Sequence, residues 1–345
     1  RLGQRGNTGF GMCHQIGCYL IDDDRRNQRL VALNVNHNGI DELSEAGTGL
    51  TLYAKLIPSA APGGPAIQAV LVDPSTGVYS FPLVSFGNFI VVIDNNNSLA
   101  DVTPTIPAGW IGTEIPNQTR TSVVVGGPGT TNLNFGLFNG SLMSGQVFDD
   151  RSSVAGTANN GVPNAGESGI AGVTLQATHP SCPGSVCDTA VTNGAGTYQL
   201  WIPASVGNTS VSIVETNLSS YISTGAQVGA TAGVYARLTD TVVFTNSVGS
   251  TYAGVNFGDV RQSIFQTDGL QNALAGTTIY YPHIFTANTT GTVTFSTTNV
   301  AAPANPGWVN TIYRDTNCNG VLDGTEGSTT FSSVGMSAGQ NVCIL

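Results

Sequence analysis

The sequence repeats itself at an offset of about 120 residues, and this feature limits the fold most, because a period that long is a whole domain, not a solenoid turn. Asn38-Gly39-Ile40 with Glu45 returns as Asn160-Gly161-Val162 with Glu167. Gly77-Val-Tyr79-Ser-Phe81-Pro82 returns as Gly196-Thr-Tyr198-Gln-Leu200, with Pro203 shortly after. Phe89 to Asp94 answers Thr209 to Glu215, and Asn134-Phe135-Gly136 answers Asn256-Phe257-Gly258. Order and spacing agree across all four landmarks, which chance does not produce.

Between the landmarks, apolar residues alternate with polar ones. Val173 and Leu175 flank Thr174, Val211 and Ile213 flank Ser212, and Thr292-Val-Thr-Phe295 follows the same rule. Bounded by Gly, Pro and Asn clusters, such stretches are half-buried antiparallel strands. No long stretch has a helical period. The expected organisation is a β-sandwich over 27–140, a second over 141–259, and a third β module over 260–345 that more chain follows. Residues 1–26 are a Gly-rich lead-in that completes a preceding module or supplies a strand to a neighbour.

Composition narrows the setting. Only 9% of residues are charged and 44 are Gly, while 40% are hydrophobic, enough to fill cores. The net charge is −10 and Lys55 is the only lysine, so there is no basic stripe for nucleic acid or anionic membrane. No run of about 18 apolar residues is present to span a bilayer. Six cysteines fall into near pairs, Cys13 with Cys18, Cys182 with Cys187, and Cys318 with Cys343. An even count in such a chain favours disulfides and an extracellular location, although six cysteines allow fifteen connectivities. Zinc is the alternative at Cys13-His14 and Cys18, but no second Cys/His pair stands at finger spacing. The start at Arg1, without a basic and apolar leader, leads us to expect a signal peptide removed or lying outside the sequence.

Three loops carry metal-binding chemistry. In Asp315-Thr-Asn317-Cys-Asn319-Gly320-Val321-Leu-Asp323-Gly-Thr-Glu326, oxygen-bearing side chains fall at positions 1, 3, 5, 9 and 12, with Gly at 6. That spacing wraps one loop around a hard cation; Val321 offers its carbonyl and Glu326 both oxygens. The first sandwich offers Asn34, Asn36, Asn38, the Ile40 carbonyl, Glu42 and Glu45, with Asn in place of the leading Asp. The second offers Asp150, Asn160, the Val162 carbonyl, Asn164 and Glu167, split by a Gly/Ala/Ser-rich insertion that must loop out. Calcium is the cofactor this chemistry implies. A plain Asn-Gly turn is the competing account of each loop.

Residues Gly145-Gln-Val147-Phe148-Asp149-Asp150, Asn160-Gly161, Gly166-Glu167-Ser-Gly169-Ile170-Ala-Gly172-Val173, Gly196-Thr-Tyr198 and Asn256-Phe257-Gly258 resemble the B-type repeats of serine-aspartate (Sdr) surface adhesins and related collagen-adhesin B-type domains. The last part, through Tyr281-Pro-His283 and the Asp315 loop, looks like the start of a further repeat. The resemblance covers about residues 27–345 and implies an all-β chain of tandem immunoglobulin-like β-sandwich domains with calcium-binding loops. It implies a stalk, adhesin or filament part on a bacterial surface. Some relatives carry a Lys–Asn isopeptide cross-link; Lys55 alone has the chemistry here, and is expected to be an exposed or snorkelling strand lysine.

Evidence for an enzyme is absent from the motifs. His14, His37, His179 and His283 are scattered, and no His-Glu-x-x-His, Gly-x-Ser-x-Gly or phosphate-binding Gly-Lys-Ser/Thr occurs. Trp110, Trp201 and Trp308, one per module, are expected in cores, with a glycan-binding face as the alternative. The leading expectation is a non-enzymatic extracellular protein that self-associates into a calcium-stiffened filament or stalk. An adhesin for host protein or glycan, and accessory modules of a larger secreted enzyme, are the alternatives.

Overall fold

A computed structural model of the chain describes residues 47–113, 117–126, 133–151, 157–266, 268–274, 276–298, 300 and 307–345, with the backbone of 31–33. The lead-in 1–26, the Cys13/Cys18 pair and the Asn34, Asn36, Asn38, Ile40, Glu42 and Glu45 loop lie outside the described residues. The chain is all-β, with only short 3-10 turns between strands among the described residues, and divides into two compact units.

Unit 1 takes residues 1–141, together with 203–207 and 247–250. Its strands are β1 (Val31–Leu33), β2 (Tyr53–Pro58), β3 (Gln68–Leu71), β4 (Gly87–Asp94), β5 (Trp110–Gly112), β6 (Thr119–Val125) and the start of β7 (Phe135–Asp149). One antiparallel sheet runs β3-β2-β4-β6. Opposite it, β7 pairs parallel with β1, Val31 against Phe135, and antiparallel with β5, Trp110 against Asn139. The core forms where the inward faces meet: Leu52, Ala54 and Leu56, then Phe89, Val91 and Ile93, pack with Phe135 and Leu137, closed by Tyr79 and Phe81. At about 25 cal/mol per Å² of buried apolar surface, each such side chain stabilises by roughly 1.5–3 kcal/mol.

The remaining residues of β2 point the other way, yet they are not exposed. Ile57 and Val92 pack with Ala66 in a second cluster beneath the segment after β4. Lys55 shares that face and is fully buried, contrary to the exposed position expected for it. Its ammonium is ion-paired with Asp94 Oδ2 and donates to the Asp101 carbonyl at 2.6 Å and to Asn96 Oδ1 at 3.1 Å. Asn96 Nδ2 in turn donates to Asp94 and Asp101, so the segment from Asn95 to Asp101 folds over the ammonium. A lysine is tolerated here because every donor it carries is met inside the fold.

Unit 2 takes 142–202, 208–246 and 251–345. It continues with the end of β7, then β8 (Thr174–Thr178), β9 (Val186–Val191), β10 (Thr197–Pro203), β11 (Ser210–Thr216), β12 (Tyr221–Val228), β13 (Val234–Ala236), β14 (Thr241–Thr245), β15 (Thr251–Tyr252) and β16 (Val255–Arg261). One sheet runs β13-β14-β11-β8-β9, all antiparallel. In the other, β16 lies parallel to β7, with Phe257 against Val147, and antiparallel to β12. Edge-to-face rings join the two layers, Tyr235 with Phe257 and Phe244 with Tyr252. The alternation of β8 and β11 puts Leu175, Ala177, Val211 and Ile213 in the interior.

The same unit ends in β17 (Ile264–Gln266), β18 (His283–Thr286), β19 (Gly291–Thr294), β20 (Arg314–Asp315), β21 (Ser333–Met336) and β22 (Asn341–Ile344). Strands β17-β18-β22-β20 form a sheet and β19 pairs with β21. Ala287, Met336, Val342 and Ile344 make a small core there, flanked by Phe285, Phe295 and Phe331. Cys182 is bonded to Cys187 and Cys318 to Cys343.

Candidate metal sites

The Asp315 loop leaves β20 and closes on itself through its own polar groups. Asp315 is buried, with Oδ1 accepting from Asn319 N at 3.2 Å and Oδ2 from Gly320 N at 2.9 Å. Gly320 holds φ +76°, a left-handed conformation that a side chain would strain. Asn319 Oδ1 accepts from Val321 N at 2.8 Å, and Asn319 Nδ2 donates to Asp323 Oδ2 at 2.9 Å. Asn317 Nδ2 lies 3.4 Å from Asp323 Oδ2. Glu326 Oε1 accepts from Thr316 Oγ1 at 2.6 Å and from Thr316 N at 2.6 Å, and these hydrogen bonds hold its carboxyl below the usual range. These bonds tie Asp315 to the Asn319 and Gly320 amides, Asn317 and Asn319 to Asp323, and Glu326 to Thr316 within one loop, and Cys318 pins that loop to β22. The donor set is all oxygen and fits a hard cation.

The Asp150 loop follows β7. Asp149 turns toward Arg151 Nη2 at 2.9 Å, while Asp150 is fully buried. Asp150 Oδ2 accepts from Gly161 N at 2.7 Å and Thr224 Oγ1 at 2.5 Å, but among the described residues its Oδ1 has no hydrogen-bond donor. Asn164 Nδ2 donates to the Val162 carbonyl at 2.5 Å and lies 3.4 Å from Asn160 Oδ1, and Asn164 N donates to Glu167 Oε2 at 2.7 Å. The chain therefore brings Asn160, Val162, Asn164 and Glu167 into one turn and ties that turn to Asp150 through Gly161. An orphaned, buried carboxylate oxygen beside it fits a cation better than a plain turn does.

A third cluster involves no residue singled out from the sequence. Glu215 at the end of β11, Asp240 before β14 and Asp259 in β16 are all buried, and one oxygen from each lies within 4.8 Å of the others. Asp240 accepts from Tyr235 OH at 2.9 Å and from Ser223 Oγ. Glu215 is 4% exposed, and among the described residues neither of its oxygens has a hydrogen-bond donor. Burial, reinforced by the charges of Asp259 and Asp240, drives the Glu215 carboxyl up to about 11. Burial and the Asp240 charge likewise push Asp259 up to about 7. The Asn217 carboxamide completes the surroundings. In one orientation its nitrogen donates to the two Asp259 oxygens at 3.1 and 3.2 Å; in the other its oxygen faces the same carboxylate. Glu215 was findable: it stands at the third inward position of an alternating strand, after Val211 and Ile213.

The described histidines and the tryptophans are used separately. His179 is used locally, with Nδ1 accepting from Ser181 N at 3.1 Å, and His283 stacks on Phe265. Trp201 is buried and Trp110 packs against the unit 1 core. Trp308 is 47% exposed, which corrects its expected place in a core: it lies in the connection between β19 and β20.

No protein-family model matches the sequence, and no curated protein matches it. Among solved structures, the minor pilin of Streptococcus agalactiae is similar at 9% identity and a TM-score of 0.22, covering 68% of this chain and 91% of the pilin. The shaft pilin of Lactobacillus rhamnosus GG is similar at 10% identity and a TM-score of 0.21, covering 69% of this chain and 98% of the pilin. Scores this low carry no functional conclusion across.

Proposed function

We propose that this chain is an extracellular structural protein whose tandem β-sandwich modules, 27–140, 141–259 and 260–345, build a filament or stalk on a bacterial surface, stiffened by calcium in the loops at Asp150–Glu167 and Asp315–Glu326. The Sdr B-type resemblance belongs to this reading, as does a third calcium loop at Asn34–Glu45. The observation that carries the calcium part is the orphaned Oδ1 of Asp150, buried where the turn holding Asn160, Val162, Asn164 and Glu167 is tied to it through Gly161. Separate β cores, two disulfides and few charges support a durable structural role.

Calcium acts through linkage. An ion that binds only the folded loop stabilises it by RT ln(1 + [L]/Kd), about 2.7 kcal/mol at a hundredfold excess over Kd. The test is melting of the full chain with calcium and with EDTA, beside electron microscopy of the native material. A lower Tm in EDTA and ordered fibres are expected. An unchanged Tm refutes the calcium part. Isolated rods that bind a host protein or glycan refute the filament and favour an adhesin.

A further inference from the structure

We infer that Glu215, Asp240 and Asp259 form a buried binding site for a hard divalent cation of the calcium class, separate from the Asp150 and Asp315 loops. Three buried carboxyl groups from three different segments converge in the interior of a β-sandwich. By itself an acidic cluster is no site. What points to a ligand is Glu215: nineteen-twentieths buried, aimed at the other two carboxylates, and without a hydrogen-bond donor on either oxygen.

Burying ionised carboxylates without compensation costs several kcal/mol per group, so the fold must supply a cation, protons or donors. Unit 1 shows what compensation by the chain looks like. There the buried Asp94 is met by the Lys55 ammonium, by Asn95 N at 2.8 Å and by Thr105 N at 3.1 Å. Around Glu215 no comparable set exists. Lys55 is the only lysine, and among the described residues no salt bridge reaches Glu215, Asp240 or Asp259. Ser223 and Tyr235 donate to Asp240, and the Asn217 amide, turned to satisfy both of its ends, donates to Asp259, so Glu215 is the member of the three left without a donor among the described residues.

The geometry suits calcium. With Ca–O distances of about 2.3–2.6 Å, oxygens on opposite sides of the ion stand roughly 5 Å apart, so a set held within 4.8 Å can share it. Magnesium prefers a near-octahedral shell and keeps several waters, which a site this enclosed disfavours. The inference uses no loop residue, so it stands or falls apart from the loops.

The experiment uses the full chain, stripped with EDTA. Calcium stoichiometry is measured by equilibrium dialysis for the wild type, Glu215→Gln, Asp259→Asn and, as a loop control, Asp315→Asn. Glu215→Gln and Asp259→Asn are each expected to lose one bound calcium, and Glu215→Gln combined with Asp315→Asn to lose one more than Glu215→Gln alone. If only Asp315→Asn loses an ion, the cluster holds protons and the inference is overturned while the loop reading survives. Should the variants fail to fold, wild-type protein crystallised with terbium decides. An anomalous peak among the three carboxylates is expected, and peaks confined to the loops overturn the inference.

Discussion

Tyr198 donates its phenol hydrogen to the carbonyl of Val255 at 2.8 Å, two residues before Phe257. Unit 1 makes the same bond: Tyr79 reaches the carbonyl of Leu133 at 2.6 Å, two residues before Phe135. The repeated Gly-x-Tyr and Asn-Phe-Gly landmarks are therefore the two ends of one recurring contact. Tyr198→Phe should cost about 1–2 kcal/mol in urea unfolding, because it leaves a buried carbonyl without its donor. Gly145 lies beneath, where a Cβ would stand 1.6 Å from the Val255 oxygen and 3.0 Å from the Tyr198 ring. Gly145→Ala is expected to cost more than Tyr198→Phe, since the clash is with backbone.

Lys55→Met should destabilise by roughly 3–5 kcal/mol, the usual result of stranding one member of a buried ion pair. Lys55→Met combined with Asp94→Leu should recover part of that loss. Equal destabilisation of the single and double variants would show that the pair is not coupled.

Reduction of the disulfides should lower the Tm most through Cys318–Cys343, which closes a loop of 25 residues. Chain entropy assigns such a closure about 3–4 kcal/mol. Cys318→Ser with Cys343→Ser is expected to reproduce the effect and to weaken calcium binding at Asp315–Glu326. Cys182→Ser with Cys187→Ser should change the Tm less.

Asp73 gives a pH signature. Its carboxylate accepts from Thr76 N at 3.0 Å and Ser75 N at 2.8 Å, and these bonds hold its carboxyl below the ordinary value of 3.8. The folded group is thus the stronger acid, and its contribution is present above the unfolded-state pKa and lost as pH falls through the lowered folded value. The Tm difference between wild type and Asp73→Ala should be constant near neutrality and shrink in acid below the ordinary Asp range. A difference that persists there would place the role of Asp73 elsewhere.

Much of this was legible in the sequence because it is local. Period-two alternation names the inward residues of β8 and β11, and the Asp315 spacing names a loop that folds onto its own side chains. What escaped depends on contacts far apart in the chain. Lys55 alternates with Ala54 and Leu56, so periodicity points it to solvent; only the segment from Asn95 to Asp101, some forty residues on, covers that face. Glu215, Asp240 and Asp259 carry no common spacing, since three different segments deliver them. The one local clue was an acid in an apolar register.

The Cys318–Cys343 bond also sets how unit 2 can respond to pulling. Tension entering the chain beyond Cys343 passes across the sulfurs to Cys318 and skips the residues between. Those 25 steps, which at about 3.4 Å per residue would release roughly 85 Å of slack, stay folded in reserve until the bond is reduced. A chain linked this way meets a sudden load without lengthening there, and its extensibility is set by the redox state of its surroundings.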